Sequence, residues 1–375
     1  MNTLTLLHFA DLHLGSPLGN LPTKVAERVR EEQKRFLRSL PDLCETHGAA
    51  LLLIAGDVFD NPYPEQALAD FFADCLAGLS GVDVYITPGN HDPLLPDSVW
   101  ETTAWPAHVH IFSEKTQRFV HADKRVQIDG AAFTSYYADE PLFTLPQNAF
   151  EGFRILMWHG DLTASGSRYN PLDPKSPLLS SYDYLALGHV HNPPENQIGP
   201  AYPGFVIGRG FDETGAGGIT RVQLSKNGVK TRLLPVGKTR FAIVEADISG
   251  AETDEEAMEK INEAIEASIG AAPDAGLPDT ALRLYLTGGL SEEAVINTHI
   301  LESRLLAGRP LQLQLKDRTR IAPDMAQLAE ESGLRGIMAK NMQTRLQKGE
   351  DREIVLRAMD LLLRTERKEP LHYED

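Results

Sequence analysis

The chain has 375 residues, 42% of them hydrophobic, and a formal net charge of −17 at pH 7. That length and apolar content are enough to bury a large core and to form two domains. The acidic balance argues against a protein coated in positive charge, so a nucleic acid would have to be met by local patches or by metal ions. No apolar run has membrane-spanning length and residues 1–3 are not a basic leader, so we expect a cytoplasmic protein without membrane contact.

Five short apolar segments predict buried strands that each end in a turn carrying polar residues. They are residues 4–9, 50–54, 82–87, 154–158 and 184–187. Helical stretches at about residues 23–46 and 64–79 alternate with the first strands, which implies βαβ units. After residue 200, the turn signals Gly217-Gly218 and Lys226-Asn227-Gly228 predict hairpins. These hairpins suggest a second sheet that closes the first domain.

A domain boundary is expected near residues 235–238, where the pattern restarts. Beyond it we predict a small α/β unit made of strand 241–248, helix 254–268, strand 281–287, helix 291–306 with Ser291 as its N-cap, and strand 311–315. The end of the chain predicts helices at about residues 323–332, 334–347 and 351–367.

The last predicted helix has an apolar stripe, formed by Ile354, Val355, Ala358, Leu361 and Leu362. A stripe of this kind usually packs on its own domain. The alternative is that it docks on a helix of a partner.

Polar clusters that follow the predicted strands have the composition of a metal site. They are Asp11-x-His13, Gly56-Asp57, Gly89-Asn90-His91-Asp92, His159 and Gly188-His189-Val190-His191. Carboxylate, amide and imidazole ligands suit Mn²⁺, Fe²⁺ or Zn²⁺, and this set is large enough for two ions. A single histidine is more often structural than a ligand, but five such clusters, each after a strand, favour a shared site. A turn at Gly188 would let both following histidines reach the ions.

Other polar and aromatic residues carry weaker signals. Tyr136, Tyr137 and Tyr169 are candidates for stacking on nucleobases, although aromatic residues more often serve packing. Arg209 is a candidate for phosphate contact. His8 is expected to be structural, because it points away from the first cluster along its strand.

These clusters together resemble the calcineurin-like metallophosphoesterases, in particular the SbcD-type DNA repair exonucleases and the YhaO-like proteins. The resemblance covers roughly residues 3–234. It is carried by the stretches Phe9-Ala10-Asp11-Leu12-His13-Leu14-Gly15, Ala55-Gly56-Asp57-Val58-Phe59-Asp60, Tyr169-Asn170-Pro171, Asp183-Tyr184-Leu185-Ala186-Leu187-Gly188-His189-Val190-His191, Tyr202-Pro203-Gly204 and Phe211-Asp212-Glu213-Thr214-Gly215.

The resemblance implies a particular set of metal ligands. The first ion would be held by Asp11, His13, Asp57 and His191. The second would be held by Asp57, Asn90, His159 and His189. Asp57 would then bridge the ions, which would share a hydroxide nucleophile and clamp one phosphate.

Two further residues are expected to act in catalysis. By resemblance, His91 contacts the scissile phosphate and assists the leaving oxygen as a hydrogen-bond donor or general acid. Asp60 is a candidate for orienting His91 by a hydrogen bond. The equally weighted alternative is that Asp60 caps a turn before Pro62.

The fold expected from the resemblance is an α/β, four-layer α/β/β/α architecture, in which two facing mixed sheets are flanked by helices. The nuclease domain would span residues 1–237 and a capping α/β domain residues 238–320. Residues 321–375 would form C-terminal helices that serve as a docking arm for an ATPase.

The function expected from these features is a Mn²⁺-dependent DNA phosphodiesterase in DNA repair, an exonuclease with endonuclease capability. By resemblance it would work as a homodimer with an SbcC-like coiled-coil ABC-type ATPase. Related protein phosphatases place an arginine after the second motif, but Asn61-Pro62 stand here, which disfavours a phosphoprotein substrate. One alternative is a nucleotide or small-molecule phosphodiesterase. The other is a non-catalytic subunit of an ATPase complex, which His91 disfavours.

Overall fold

The computed structural model describes residues 3–113, 116–143, 150–163, 166–193, 202–269, 277–322, 325–349 and 351–367. The chain divides into two compact units between Thr239 and Arg240. Among the described residues, no helix combines the length and the apolarity that a membrane crossing requires.

The described part of the first unit contains strands and helices in alternation. The strands are β1 Leu4–Phe9, β2 Leu51–Ile54, β3 Asp83–Ile86, β4 Val109–Ile111, β5 Gln117–His121, β6 Val126–Gly130, β7 Phe153–His159, β8 Tyr184–Gly188, β9 Gly218–Ser225 and β10 Gly228–Pro235. The helices are α1 Thr23–Arg38, α2 Leu40–His47, α3 Gln66–Ala77 and the short α4 Val99–Thr102.

These strands form two mixed sheets. The first has the order β10-β9-β1-β2-β3-β4, and the second has the order β5-β6-β7-β8. Strands β1 to β4 are parallel, and so are β6 to β8. The hairpin of β9 and β10 was expected to start a second sheet, but it extends the first sheet by antiparallel pairing with β1. Turn residues determine how the two strands of a hairpin pair with each other. Which further strand the hairpin pairs with depends on long-range packing.

The main core lies between the two sheets. Leu6, Leu53 and Val222 of the first sheet and Ile128 and Ile155 of the second belong to one fully buried cluster. On the other side of the first sheet, Phe9 contacts Phe36 of α1 with ring centroids 5.2 Å apart. The prediction of facing mixed sheets flanked by helices is therefore confirmed.

The predicted helix at residues 23–46 is interrupted. Helix α1 ends at Arg38 and α2 begins at Leu40. Pro41 has no amide hydrogen to continue the helical hydrogen bonds, which accounts for the break.

The second unit contains a parallel three-stranded sheet in the order β11-β12-β14. Its elements are β11 Arg240–Asp247, α5 Asp254–Ile269, β12 Thr280–Thr287, β13 Gly289–Leu290, α6 Thr298–Ala307, β14 Gln312–Asp317, β15 Arg320–Ile321, α7 Met325–Glu330, α8 Leu334–Gln347 and α9 Arg352–Arg367. The N-cap predicted at Ser291 is wrong, because α6 begins at Thr298 with Asn297 as its cap. The backbone amide of Val295 instead donates to Glu252, which holds the preceding segment outside the helix.

The stripe on α9 packs within its own unit. Val355, Met359 and Leu363 are buried in one cluster with Leu328 of α7 and Ala339 of α8. Ile354, which was expected in this stripe, is 65% exposed. The buried face is thus rotated by about one residue from the predicted one.

Candidate metal centre

The predicted ligands lie where strands of the two sheets end. Asp11 and His13 follow β1, Asp57 follows β2, and Asn90 follows β3. From the second sheet, His159 is the last residue of β7, and His189 and His191 follow β8. The carboxyl ends of parallel strands meet at one edge of a sheet, so ligands far apart in sequence converge there. We call these seven residues the metal centre.

The backbone at the metal centre adopts conformations that are uncommon for residues with a side chain. Asp11, His13 and Asp57 have φ values of 55°, 47° and 50°, and His189 has a φ of 104°. Hydrogen bonds from Asp11 N to Gly56 O at 3.1 Å and from His13 N to Asp57 O at 3.0 Å lock the first two turns together. Strain of this kind often accumulates at functional sites, where it aims side chains.

The role predicted for Gly188 needs correction. Gly188 is the last residue of β8, and His189 itself takes the positive φ that turns the chain. A Cβ at position 188 would overlap the carbonyl oxygen of Ala55. Glycine is therefore needed for close packing of the two sheets rather than for the turn.

The candidate ligand atoms form two groups, and a carboxylate of the second group lies next to the first. Asp11, His13 and His191 offer atoms that all lie within 4.8 Å of one another, and so do Asp57, His159 and His189. In the first group, His13 Nε2 lies 3.2 Å from His191 Nε2. Asp57 Oδ2 lies 3.7 Å from His13 Nε2 and 3.3 Å from His159 Nε2, so it is adjacent to both groups.

Asn90 completes the second group. Its Oδ1 lies 3.0 Å from His159 Nε2 and 3.0 Å from His189 Nδ1. Atoms bound to one ion at about 2.0–2.2 Å lie roughly 3–4 Å from each other, which is the spacing seen in both groups. The donor set of imidazole nitrogens and carboxylate or amide oxygens therefore fits two divalent ions.

Comparison with known proteins agrees with this geometry. The model of the calcineurin-like phosphoesterase family matches residues 4–214 of the chain. The chain belongs to the calcineurin-like phosphoesterase family. This phosphoesterase is accordingly a metal-dependent hydrolase, and the matched segment contains all seven predicted ligands.

Similarity to two relatives extends beyond that segment. The phosphoesterase is 27% identical over 310 residues to the uncharacterized metallophosphoesterase YhaO of Bacillus subtilis (strain 168), covering 78% of this chain and 74% of YhaO. It is 25% identical over 322 residues to the DNA double-strand break repair protein Mre11 of Methanopyrus kandleri, covering 76% of this chain and 68% of Mre11.

Burial dominates the electrostatics of the phosphoesterase metal centre. Burial raises the pKa of Asp11 to about 6 and lowers the pKa of His13 to about 4. Burial also opposes a charge on His159, but the adjacent Asp57 outweighs it and raises the pKa of His159 to about 9. Cations bound at the site would replace this proton, because imidazole ligands bind metal in the neutral form.

Hydrogen bonds orient the imidazoles. His159 Nδ1 donates to Ala55 O at 2.7 Å, and His13 Nδ1 donates to Asp60 Oδ1 at 3.1 Å. In both residues this leaves Nε2 for an ion. Asp60 was expected to orient His91. Its carboxylate accepts the hydrogen bond of His13, and ligand atoms of Asp60, His13 and His91 all lie within 4.8 Å of one another. The alternative was that Asp60 caps the turn before Pro62. In the structure its neighbour Asn61 caps this turn, because Asn61 Oδ1 accepts a hydrogen bond from the amide of Tyr63 at 2.9 Å.

His91 lies at the open side of the centre. Its side chain is exposed, and its ring is 4.8 Å from the ring of His13. The backbone amide of His91 donates to Asp57 Oδ1 at 2.9 Å. The fold therefore ties the position of this imidazole to the shared carboxylate and leaves the ring accessible to a substrate.

Glu213 is a site residue for which no role was predicted from the sequence. It is buried, and it accepts a hydrogen bond from His191 Nδ1 at 2.8 Å. Burial works against its charge, but His191 and Arg209 outweigh burial and lower the pKa of Glu213 to about 2. Arg209, a candidate for phosphate contact, ion-pairs with Glu213 and lies 3.5 Å from Asp60. In the sequence, Glu213 was marked only by its position in residues 211–215, one of the stretches that carry the family resemblance.

Asp92 is a second site residue for which no role was predicted from the sequence. Its carboxylate accepts from the amides of Phe59 at 3.0 Å and Gly89 at 2.7 Å, which closes the loop that carries Asn90. His8, in contrast, is structural as expected, since its Nδ1 is bonded to Tyr184 Oη at 2.8 Å between the sheets.

A separate group of potential ligands lies elsewhere in the first unit. Asp83, His110 and His121 offer atoms within 4.8 Å of one another, and we call them the edge cluster. The ammonium of Lys124 bonds to the carboxylate of Asp83, and the hydroxyl of Tyr85 bonds to His121 Nε2. Asp83 is the first residue of β3, so this cluster is not at the carboxyl end where the metal centre lies.

Proposed function

We propose that this protein is a two-metal phosphodiesterase that hydrolyses DNA phosphodiester bonds as an exonuclease and also as an endonuclease. The observation that carries the proposal is a pair of adjacent ligand groups, with Asp57 of the second group 3.7 Å from His13 of the first and the exposed imidazole of His91 beside them. Two bound ions would activate water and neutralise the charge that develops on the phosphate. The mixed oxygen and nitrogen ligands suit Mn²⁺ first, with Fe²⁺ or Zn²⁺ as further candidates.

The residues of the chain have distinct tasks in this proposal. Asp11, His13, Asp57 and His191 hold the first ion, and Asp57, Asn90, His159 and His189 hold the second. His91 donates a hydrogen bond or a proton to the leaving oxygen, for which its exposed position beside Asp57 is suited. Asp60 and Glu213 keep two of the imidazoles in the orientation that ions require.

Support for DNA as the substrate comes from the similarity to an Mre11 described as a DNA double-strand break repair protein. A repair role would place the protein with the chromosome, which in the bacterial and archaeal relatives is in the cytoplasm. The net charge of −17 makes the metal ions an important source of attraction for phosphate.

The deciding experiment is hydrolysis by the purified protein with Mn²⁺. The substrates are linear duplex DNA, single-stranded DNA and bis-p-nitrophenyl phosphate, and Asp57→Asn is the matched inactive control. We expect all three to be cut by the wild type. Hydrolysis of the small ester alone would favour a nucleotide or small-molecule phosphodiesterase. Tight Mn²⁺ binding with no hydrolysis would favour a non-catalytic subunit.

We further infer that residues 238–320 cap the site and that the helices in residues 321–375 dock on an SbcC-like coiled-coil ABC-type ATPase, with the protein as a homodimer. In support, Leu334 and Ile337 of α8 and Ile354 of α9 are about two-thirds exposed. Exposed apolar side chains of this kind often belong to interfaces. We expect Ile337→Glu and Ile354→Glu to abolish co-elution with the ATPase in size-exclusion chromatography and to spare ester hydrolysis. Unchanged co-elution would reject this docking surface.

A further inference from the structure

Two exposed tyrosines lie on a loop of the first unit that the structure holds in place. Tyr136 and Tyr137 follow β6 and have 48% and 47% of their side chains exposed. Ala138, next in the chain, forms a β-bridge with Tyr169. Its amide donates to Arg168 O at 2.9 Å, and its carbonyl accepts from Asn170 N at 2.8 Å. The tyrosines are therefore presented to solvent by an anchored backbone rather than buried as packing residues.

A row of rings connects one of these tyrosines, Tyr137, to the metal centre. The Tyr137 and Tyr169 rings have centroids 5.8 Å apart, and the Tyr169 and His189 rings have centroids 4.8 Å apart. His189 is one of the metal-centre residues. The exposed end of the row thus lies about two ring contacts from the place where a phosphate would be cut.

A cation belongs to the same surface. The guanidinium carbon of Arg168 lies 3.9 Å from the centroid of the Tyr137 ring. Planar guanidinium and phenol groups are both surfaces on which nucleobases stack. Asp139 and Glu140 follow on the same exposed loop, and Asp139 lies 3.3 Å from Arg168 Nε. Because this charge balance does not favour phosphate, the surface is better suited to a base than to the sugar-phosphate backbone.

We propose that Tyr137 and Arg168, with the exposed Tyr136 next to Tyr137 in the chain, form a stacking platform for an unpaired nucleobase of the strand that is cut. The inference rests on the proposed DNA hydrolysis and adds a preference for single-stranded ends to it. Stacking does not depend on base identity, so the platform would accept any sequence. It would hold one nucleotide while the neighbouring phosphate reaches the metal centre.

The test compares binding to bases with binding to the backbone. In EDTA, the affinity for a short oligothymidylate and for an abasic backbone of equal length is measured by fluorescence anisotropy. We expect Tyr136→Ala/Tyr137→Ala to weaken oligothymidylate binding roughly five- to hundredfold and to leave abasic binding unchanged. Tyr137→Phe should retain wild-type affinity, because the ring and not the hydroxyl stacks. Equal affinity of the wild type for both oligomers would overturn the platform.

Two controls separate the possible failures. Tyr285→Ala removes a comparable tyrosine–arginine stack in the second unit, where Arg318 lies 4.0 Å from the ring centroid, and should not change DNA binding. Hydrolysis of bis-p-nitrophenyl phosphate by the double variant should equal that of the wild type, which shows an intact metal centre. If the wild type cuts DNA and the double variant cuts single strands equally well, only the platform is rejected. If the wild type cuts the ester and no DNA, both the proposed DNA hydrolysis and the platform are rejected.

Discussion

The metal centre and the edge cluster use the same kinds of side chain, but their carboxylates have different partners. Asp57 is buried among imidazoles, with His159 Nε2 at 3.3 Å and His13 Nε2 at 3.7 Å. Asp83 is partly exposed and is bonded to the ammonium of Lys124. A carboxylate that already holds a fixed cation has less to gain from a metal ion. Residue types alone therefore do not identify a metal site, since the neighbouring charges decide which carboxylates are available.

The largest difference is expected in catalysis. Asp57→Asn should lower kcat/KM for bis-p-nitrophenyl phosphate in Mn²⁺ at least about a thousandfold. The carboxylate would hold both ions, and their positive charge stabilises the phosphate in the transition state. Asp83→Asn should retain wild-type activity. Comparable losses in the two variants would break the distinction between the clusters.

His91 should matter to turnover but not to metal content. We expect His91→Ala to lose about a hundredfold in kcat, the lower range for a general acid, while it binds Mn²⁺ as tightly as the wild type by titration calorimetry. His110→Ala, from the edge cluster, is the matched histidine control and should keep full activity. A His91→Ala enzyme with the wild-type rate would refute its assignment.

Metal affinity provides a third comparison. Glu213→Gln removes the charge that orients His191 and should weaken Mn²⁺ binding about ten- to hundredfold in titration calorimetry. His121→Ala should leave the number of bound ions unchanged. Loss of one equivalent in that variant would show that the edge cluster is itself a metal site.

The smallest effects are expected in stability, and their signs should be opposite. The pKa of Asp11 is raised by burial to about 6, so its charge destabilises the metal-free fold increasingly as the pH rises from about 4 to 6. In EDTA at pH 8, Asp11→Asn should therefore increase the free energy of unfolding, by about 1–3 kcal/mol, and the gain should vanish below pH 4.

Asp83→Asn should act in the other direction. Burial opposes the charge of Asp83, but Lys124 outweighs burial and lowers its pKa. Its contribution is thus present above about pH 4 and is lost as the pH falls. Because the ion pair is partly exposed, we expect a loss of less than about 1 kcal/mol at pH 8. Urea unfolding at pH 8 and pH 4 measures both variants, and equal signs at pH 8 would contradict the comparison.

The local elements were largely readable from the sequence. The apolar runs at residues 4–9 and 154–158 correspond to β1 and β7, since buried parallel strands are continuous apolar segments. Helix α5 also begins at the predicted residue, Asp254. The placement of the β9–β10 hairpin and the start of α6 were predicted wrongly because they depend on distant partners, whereas the break between α1 and α2 has a local cause in Pro41.

The candidate ligands were also found in sequence, because each follows a recognisable strand and turn. The residues that hydrogen-bond to these ligands were not found in the sequence. Asp60 is hydrogen-bonded to His13, and Glu213 reaches His191 from a loop 22 residues further along the chain. Such hydrogen bonds depend on the relative positions of loops, which no local pattern encodes.

The donor chemistry of the metal centre and the strands that carry it could be predicted without the structure, because they depend on residue type and short-range periodicity. Three relations became visible in the folded structure alone: which imidazole each carboxylate orients, the ion pair of Lys124 with Asp83, and the ring contacts that link the exposed Tyr137 to His189 through Tyr169. These contacts form between separate strand ends and loops, whose relative positions depend on the packing of the whole unit.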